Sequence, residues 1–246
     1  MTAVATENRS TLSLCVIPAR AGSRRIPSKN VREMLGRPMI AHTIEAAVRS
    51  GIFGRVVVST DGEAIADIAR RAGAEVPFLR DAALADDHTP VSLATLDAVD
   101  RLDPEGSLYP TVCQMMPNCP LRTAEDVRES AAAFRQSGAP AQISVVRYDW
   151  RNPWWAMRRA ADGRLEPLFE ARVTERSQDL PELFCPTGAI WWVRTEVLRR
   201  ERTFHVAGRT GWEIDSARGV DIDTPEDWAL AEMLMDARAS RGAAHV

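Results

Sequence analysis

The chain is 246 residues long, 45% hydrophobic and 26% charged, with 14 Gly and 15 Pro spread along it, an ordinary globular composition that excludes disordered and collagen-like chains. Thirty-one basic residues against 34 acidic ones give a net charge of -3, so the overall basic balance that holds nucleic acid by phosphate neutralisation is missing. No run of about 18 apolar residues exists to span a bilayer, and Met1 to Thr11 carry no basic-then-apolar signal pattern; the expectation is a cytoplasmic protein without membrane or nucleic-acid partners. At this length a core that needs no staple is available, in one domain or two. The four cysteines, Cys15, Cys113, Cys119 and Cys185, form no Cys-x-x-Cys pair and do not alternate with His at zinc-ligand spacing. They read as reduced, mostly buried small apolar residues.

The first element is Leu12 to Pro18 (LSLCVIP), an apolar run rich in β-formers that gives way to a polar loop and reads as a buried strand. Arg55 to Thr60 and Thr111 to Met116 have the same character. Helical patterns lie between and after them, over Met39 to Arg49, Gly62 to Arg71, Val91 to Arg101 and Ala124 to Gln136. Buried strands alternating with helices of about ten residues specify βαβ units and a mostly parallel sheet covered on both faces. The rhythm breaks at Tyr148, where a stretch with three tryptophans, three prolines and many charges follows without a clean period. It is too long for a plain loop in a compact domain and reads as a functional excursion or a subunit-contact arm. Gly188 to Val193 (GAIWWV) is a further strand, which puts one Trp on each face. Gly219 to Asp223 then leads into a helix from Pro225 to about Ala237, opened by Thr224 as N-cap, Pro at N1 and acidic residues in the first turn. The expected organisation is one domain over residues 12–237 with 148–187 inserted as the excursion, and flexible tails at 1–11 and 238–246.

The loop Ala19-Arg-Ala-Gly-Ser-Arg-Arg-Ile-Pro-Ser-Lys-Asn30 is the most informative stretch. It carries four cations among small and polar residues at the carboxyl end of a strand, the edge where open α/β sheets bind ligands. Its small residues let backbone N–H groups point inward, while Arg20, Arg24, Arg25 and Lys29 can neutralise a polyphosphate. Both G-x-x-x-x-G-K-[ST] and G-x-G-x-x-G are absent, so phosphate binding rests on composition and position, against the alternative of a solvated basic loop. Lys29 is also the one lysine of the chain, the other 30 basic residues being Arg. The second constellation is Asp221-Ile-Asp223, whose carboxylates at i and i+2 fall on the same side of an extended strand. Two close carboxylates suit Mg²⁺ bound jointly with substrate phosphates, with Asp215 a candidate third; taken alone, solvated strand-end acids explain the pair equally well. Together, the loop and the acids make the two halves of a phosphoryl- or nucleotidyl-transfer site.

These stretches resemble a family, the cytidylyltransferases that activate nine-carbon acidic sugars (sialic, legionaminic and pseudaminic acids) as CMP-sugars. The resemblance runs from about Leu12 to Met235 and is carried by IPARAGSRRIPSKN with GRPMI behind it, VVVSTDGEAIADIARRAGAEVPFLR, MPNCPLR, RSQDLPE, PTGAIWW and VDIDTPEDW. It implies an α/β, Rossmann-like nucleotidyltransferase fold with a mostly parallel sheet, and a small dimerisation excursion that makes a homodimer and reaches the partner's site. It also implies Mg²⁺-dependent transfer of CMP from CTP. Residue by residue, it implies nucleotide binding by Ala19, Arg20, Ala21, Gly22, Ser23, Lys29, Asn30 and Arg80, metal binding by Asp221 and Asp223, and catalytic roles for Arg20, Lys29 and Asp223.

On the sugar side the resemblance points to Met116, Asn118, Gln178, Asp179, Thr187 and Trp191, and here the chain departs from the sialic-acid enzymes. Their Gln-Pro-Thr-Ser-Pro-Leu-Arg stands as Met116-Pro-Asn-Cys-Pro-Leu-Arg122, and in their Arg-Pro-Asn-Gly-Ala-Ile-Tyr three polar positions become Cys185, Thr187 and Trp191. Losing an Arg and an Asn removes donors for the sugar's carboxylate or acyl groups. PFLRDAALADDHT and RSQDL are more similar to the pseudaminate enzymes, whose sugar is deoxygenated at its terminal carbon and asks for more apolar contact. The expected reaction is transfer of CMP from CTP to the anomeric hydroxyl of a nonulosonic acid with release of pyrophosphate. The alternatives are the same chemistry on another acidic sugar such as a keto-deoxyoctulosonate, or a non-catalytic nucleotide- or sugar-sensing protein on this fold.

Overall fold

Strand β1 (Ser13–Pro18) is buried at all six positions, which a strand achieves only at the centre of a sheet with both faces covered. Its side chains alternate between two cores: Cys15 and Ile17 join one apolar cluster, Leu14 and Val16 the other. The computed structural model describes residues 13–86, 88–149 and 151–243, with the side chains of 241–243 excepted; the expected tail at 1–11 lies outside them.

The central sheet has six strands in the order β10-β6-β9-β5-β1-β4. They are β4 (Phe53–Ser59), β5 (Thr111–Gln114), β6 (Ala141–Arg147), β9 (Phe184–Arg194) and β10 (Thr210–Glu213) besides β1. β1 runs parallel to β4 and β5, and β10 parallel to β6. β9 is antiparallel to both of its neighbours, β5 and β6. The sheet is therefore mostly parallel with one reversed strand. Two short hairpins stand apart from it: β2 (Glu33–Met34) with β3 (Arg37–Pro38), and β7 (Met157–Arg159) with β8 (Leu165–Pro167).

Helices cover both faces. α1 (Met39–Ser50), α2 (Glu63–Arg71) and α4 (Ala124–Ser137) pack on the side of Cys15 and Ile17, through Ile40, Ile44, Ile65, Val127 and Phe134. α3 (Val91–Leu102) and α5 (Thr195–Glu201) cover the other side through Leu96, Val99, Val197 and Leu198. The two tryptophans of β9 divide as expected: Trp192 is buried between the rings of Phe53 and Phe134, at 5.7 and 5.9 Å, and Trp191 packs against the opposite cluster. The Trp192 indole N–H, which would be costly unpaired, donates to Ser130 Oγ at 3.1 Å.

Helix α6 (Pro225–Ala243) closes the site edge over a third cluster that includes Met34, Leu121, Ile222 and Trp228. Thr224 Oγ1 accepts from the Asp227 N–H while Asp227 Oδ2 accepts from the Thr224 N–H, a reciprocal N-cap. The helix runs well past residue 237, so the segment expected as a flexible tail from 238 is helical to Ala243. Arg238 ties it down by donating to the Leu121 carbonyl at 3.3 Å.

The excursion is not a plain loop. It holds the β7–β8 hairpin and short 3-10 turns at Pro153–Trp155, Glu170–Arg172 and Ser177–Asp179. Indole N–H groups pin it: Trp154 donates to the Pro181 carbonyl at 2.9 Å and Trp155 to the Glu175 carbonyl at 3.3 Å. Its outer surface leaves Met157, Leu165, Leu168 and Phe169 exposed, Leu165 at 61%.

Candidate active site

The cationic loop begins where β1 ends, and its backbone groups are held by β4 and by the side chains of Asp61 and Asn30. The Ala19 N–H donates to the Ser59 carbonyl at 2.9 Å, Ala21 N–H to Asp61 Oδ1 at 2.8 Å, and Asn30 Nδ2 to the Arg20 carbonyl at 2.9 Å. Ser28 sits at φ 54°, an uncommon conformation for a residue with a Cβ, and its carbonyl accepts from both Val31 and Arg32. The loop thus curls back on itself with its amide groups pre-set.

Between this loop, the turn after β5 and the segment before α6 lies a cleft of about 480 Å³. Arg20, Ser23, Lys29 and Asn30 line it together with Arg24 and Arg25 from the loop, Met116 and Asn118 from the turn, and Asp223. Seven of the residues expected at the site are thereby brought to one cavity. Lys29 Nζ donates to the Ile222 carbonyl at 2.7 Å and to Asp223 Oδ1 at 3.2 Å, and Arg25 Nη2 lies 3.1 Å from Asp223 Oδ2. The one lysine of the chain therefore bridges the cationic loop and the acidic segment. Asn118 Oδ1 is buried without a hydrogen-bond partner among the described residues, an acceptor that asks for a donor from whatever enters.

The two aspartates differ in setting. Residues 220–223 form no ladder with the sheet, which corrects the expectation of a strand there, although the alternation survives: Ile222 is fully buried between the two acids. Asp223 is on the cleft wall with a side chain 40% exposed. Asp221 stands behind it, with Oδ1 accepting from the Cys119 thiol at 2.7 Å and Oδ2 from the Gly188 N–H at 3.1 Å. Asp215, the candidate third acid, closes a turn by accepting from the Ala217 N–H and does not line the cleft. Among the described residues no group of three or more His, Cys, Asp or Glu side chains is arranged to hold a metal.

Other expected residues lie off the cleft. Ala19 is buried, and Ala21 and Gly22 contribute backbone to the loop. Arg80 is buried beneath the loop, its Nη2 4.0 Å from Asp61 Oδ1. Burial lowers its pKa from the usual arginine value, the Asp61 charge opposes this, and the Arg20 charge adds to it. Gln178 and Asp179 are exposed in the excursion. Thr187 is buried and Trp191 half-buried, and neither lines the cleft. The Thr187 hydroxyl pairs with Ser144 Oγ at 2.9 Å, and the Trp191 indole donates to the Thr187 carbonyl while its ring packs on Phe204.

Four residues at the site were not anticipated. Asp61 braces the loop amide and faces Arg80; Asp227 Oδ2 accepts from the Asp223 N–H at 3.0 Å and sets the backbone of that acid. Gly188 passes so close to Met116 that a Cβ there would lie 2.9 Å from Met116 Cγ. Cys119 is buried in the core as expected, and its thiol also donates to Asp221; burial and then the Asp221 charge push its thiol pKa well up. Only Asp227 carried a sequence signal, the Thr-x-x-Asp spacing of a capping box.

Comparison with known proteins places this geometry in a family. Residues 14–157 match the family described as Cytidylyltransferase. The chain is 33% identical over 231 residues to the CMP-N,N'-diacetyllegionaminic acid synthase of Legionella pneumophila, covering 91% of this chain and 96% of that one. It is 30% identical over 226 residues to the pseudaminic acid cytidylyltransferase of Campylobacter jejuni, covering 90% and 95%. Among solved structures, a CMP:2-keto-3-deoxy-manno-octonic acid synthetase complexed with CTP superposes with a TM-score of 0.69 at 18% identity, over 92% of this chain and 99% of that one. That likeness confirms the Rossmann-like nucleotidyltransferase fold. The sequence matches go further, since the family match covers more than half of the chain and a relative at 33% identity covers nine-tenths of it, and on them the chain belongs to the cytidylyltransferase family.

Proposed function

We propose that this protein transfers CMP from CTP to the anomeric hydroxyl of a nonulosonic acid of the pseudaminic, legionaminic or sialic type, releasing pyrophosphate. The observation that carries the reading is the cleft that gathers the four cations of the loop with Asp223, which Arg25 and Lys29 contact directly. The acceptor class is supported by the legionaminic and pseudaminic names of relatives that match nine-tenths of the chain.

Arg20, Lys29 and the pre-set loop amides hold the β- and γ-phosphates, and Ser23 and Asn30 line the same wall. Arg80 backs the nucleotide side through Asp61, whose Oδ1 also accepts from the Ala21 N–H of the loop. The anomeric oxygen bonds to the α-phosphorus, the α–β phosphoanhydride bond breaks, the hydroxyl proton passes to solvent water and pyrophosphate leaves. Most of the catalysis is positioning and charge neutralisation in place before the reaction. Met116 and Asn118 form the acceptor wall: Met116 gives apolar contact, and the unpartnered Asn118 Oδ1 accepts from a sugar hydroxyl or amide.

The donor set fits Mg²⁺. Asp221 and Asp223 offer hard carboxylate oxygens two residues apart, and Mg²⁺ is bound by one or two carboxylates plus substrate phosphates and water, without an all-protein cage. Each oxygen of Asp221 accepts one donor and keeps a second lone pair. When bound there, the ion draws charge from the phosphates. Gln178 and Asp179, exposed on an excursion with an apolar outer surface, support a homodimer in which this arm reaches the partner's site. No helix among the described residues is long and apolar enough to cross a membrane, and the use of CTP supports the cytoplasm as the working compartment.

The test is pyrophosphate release from purified protein with CTP and Mg²⁺ against sialic, legionaminic, pseudaminic and keto-deoxyoctulosonic acids in parallel, with UTP and ATP as controls. Release with CTP and a nine-carbon acid is the expected result. Release only with the eight-carbon acid overturns the acceptor class, and CTP binding without release in any arm overturns the enzyme reading in favour of a sensor.

A further inference from the structure

Asp221 and Asp223 lie in one segment but are held by opposite means. Asp223 is paired with two cations, Arg25 and Lys29. Asp221 has neutral donors at both oxygens, the Cys119 thiol on Oδ1 and the Gly188 amide on Oδ2. Neutral donors fix the orientation of a carboxylate without cancelling its charge, which an ion pair does. Cys119 is fully buried and belongs to the same turn as Asn118, whose carbonyl accepts from the Ile222 N–H at 2.8 Å. Behind it Arg122, 3% exposed, donates through Nη2 to the Met116 carbonyl. The turn after β5 is thus stitched to the acidic segment twice, once by backbone and once by a thiol.

From this contact we infer that Cys119 is a positioning residue for the transfer reaction: its S–H group holds the Asp221 carboxylate in the orientation that binds the divalent cation. The inference rests on the proposed metal role of Asp221. A carboxylate released from the thiol keeps its charge but gains freedom about its side-chain torsions, and the cation then meets a ligand that must be ordered at the moment of binding. Outer-sphere partners of metal ligands carry effects of about 10- to 100-fold in metal affinity.

Mn²⁺ is the probe, its binding followed by electron paramagnetic resonance with CTP present and no sugar, so that no turnover is read. Asp221→Asn tests the underlying reading, while Cys119→Ala and Cys119→Val remove the donor with different packing, and Cys119→Ser restores one. Thermal unfolding of each variant records any loss of fold separately. The expected result is Mn²⁺ affinity about 10-fold weaker in both donor-less variants regardless of their unfolding midpoints, and within about 3-fold of the parent in the serine variant. Wild-type affinity in Cys119→Ala or Cys119→Val, with Asp221→Asn impaired, overturns the positioning role and leaves the metal site standing. Unchanged affinity in Asp221→Asn overturns both. A serine variant as weak as the alanine one shows that packing, not the donor, sets the affinity.

Discussion

Gly188→Ala tests the close approach of β9 to Met116 and Asp221. The backbone at Gly188 has no positive φ, so alanine is admissible there in conformation and the cost is steric. The added methyl lies 2.9 Å from Met116 Cγ, 3.0 Å from Met116 Cβ and 3.3 Å from Asp221 Oδ1, whereas apolar carbons rest at about 3.5–4.0 Å. Met116 cannot simply swing away, because its Cβ is also too close and its N–H is tied to the Gly188 carbonyl at 3.0 Å. Overpacking of this kind costs about 1–3 kcal/mol. In a chain of this size each kcal/mol lowers the unfolding midpoint by roughly 2–4 °C, so calorimetry reads a fall of about 2–12 °C. Activity falls further, since Met116 and Asp221 both belong to the site and a displacement of about 1 Å costs on the order of 100-fold in kcat/KM. Met116→Ala in the same chain removes the worst contact, and the double variant recovers part of the unfolding midpoint. A single variant that keeps both its midpoint and its kcat/KM refutes the claim that this glycine is required by packing.

Lys29→Met removes the bridge between the loop and Asp223 and is expected to lower kcat/KM for pyrophosphate release by about 10²–10³-fold, the scale of losing one preorganised donor; Lys29→Arg rescues little, because a planar fork does not reproduce a compact ammonium held at 2.7 Å from the Ile222 carbonyl. Thr224→Ala takes away the N-cap of α6 and lowers stability by about 1 kcal/mol in urea unfolding. For Asp227, burial pushes the pKa up, but the amides of Asp223 and Thr224, the Thr224 hydroxyl and Arg25 outweigh it and hold the carboxyl below its ordinary value. Its stabilisation is therefore present above the ordinary aspartate range and is lost as pH falls through the lowered value, so Asp227→Asn is expected to destabilise at about pH 7 and to converge with the parent once pH falls below that lowered value. Charging the outer face of the excursion with Leu165→Glu and Phe169→Glu is expected to reduce the mass seen by light scattering from two chains to one, and a wild-type protein already monomeric contradicts the arm's assignment.

What was legible in the chain follows from the range of the interactions concerned. β1 and the helices of the first half announce themselves through local periodicity, and the observed α1 and α3 extend the expected spans by a single residue. β6, β10 and α5 were missed: β10 is four residues long, and β6 begins directly after Ser-Gly-Ala-Pro and runs into the excursion, so neither offers a bounded apolar run. The reversed direction of β9 has no local signature, because the side-chain period is the same in either direction. At the site, charge and small-residue content mark the loop and Asp223 within a few residues of sequence. Thr187 and Trp191 were assigned from resemblance, and only the packed sheet shows that their polar groups pair with Ser144 and with the strand's own backbone. Cys119 and Asp221 meet across 102 positions, a contact that composition cannot announce.

The reversed strand explains why the excursion sits where it does. Five strands point their carboxyl ends toward the cleft edge, among them β6, whose last residue is Arg147. β9 returns antiparallel to β6, with Arg147 paired to Phe184, so its first residues lie at that same edge. The excursion between them therefore leaves and re-enters the sheet on the side of the site, and no crossover is needed to bring it there. Had β9 been parallel, a right-handed crossover would have been required and residues 148–183 would have been spent returning to the opposite edge. Reversal frees that length for an arm, and it brings Gly188, five positions into β9, against Met116 and Asp221. The topology thus ties the excursion, Met116 and the fixed aspartate to one strand, so any displacement of the excursion bears directly on the strand that carries Gly188.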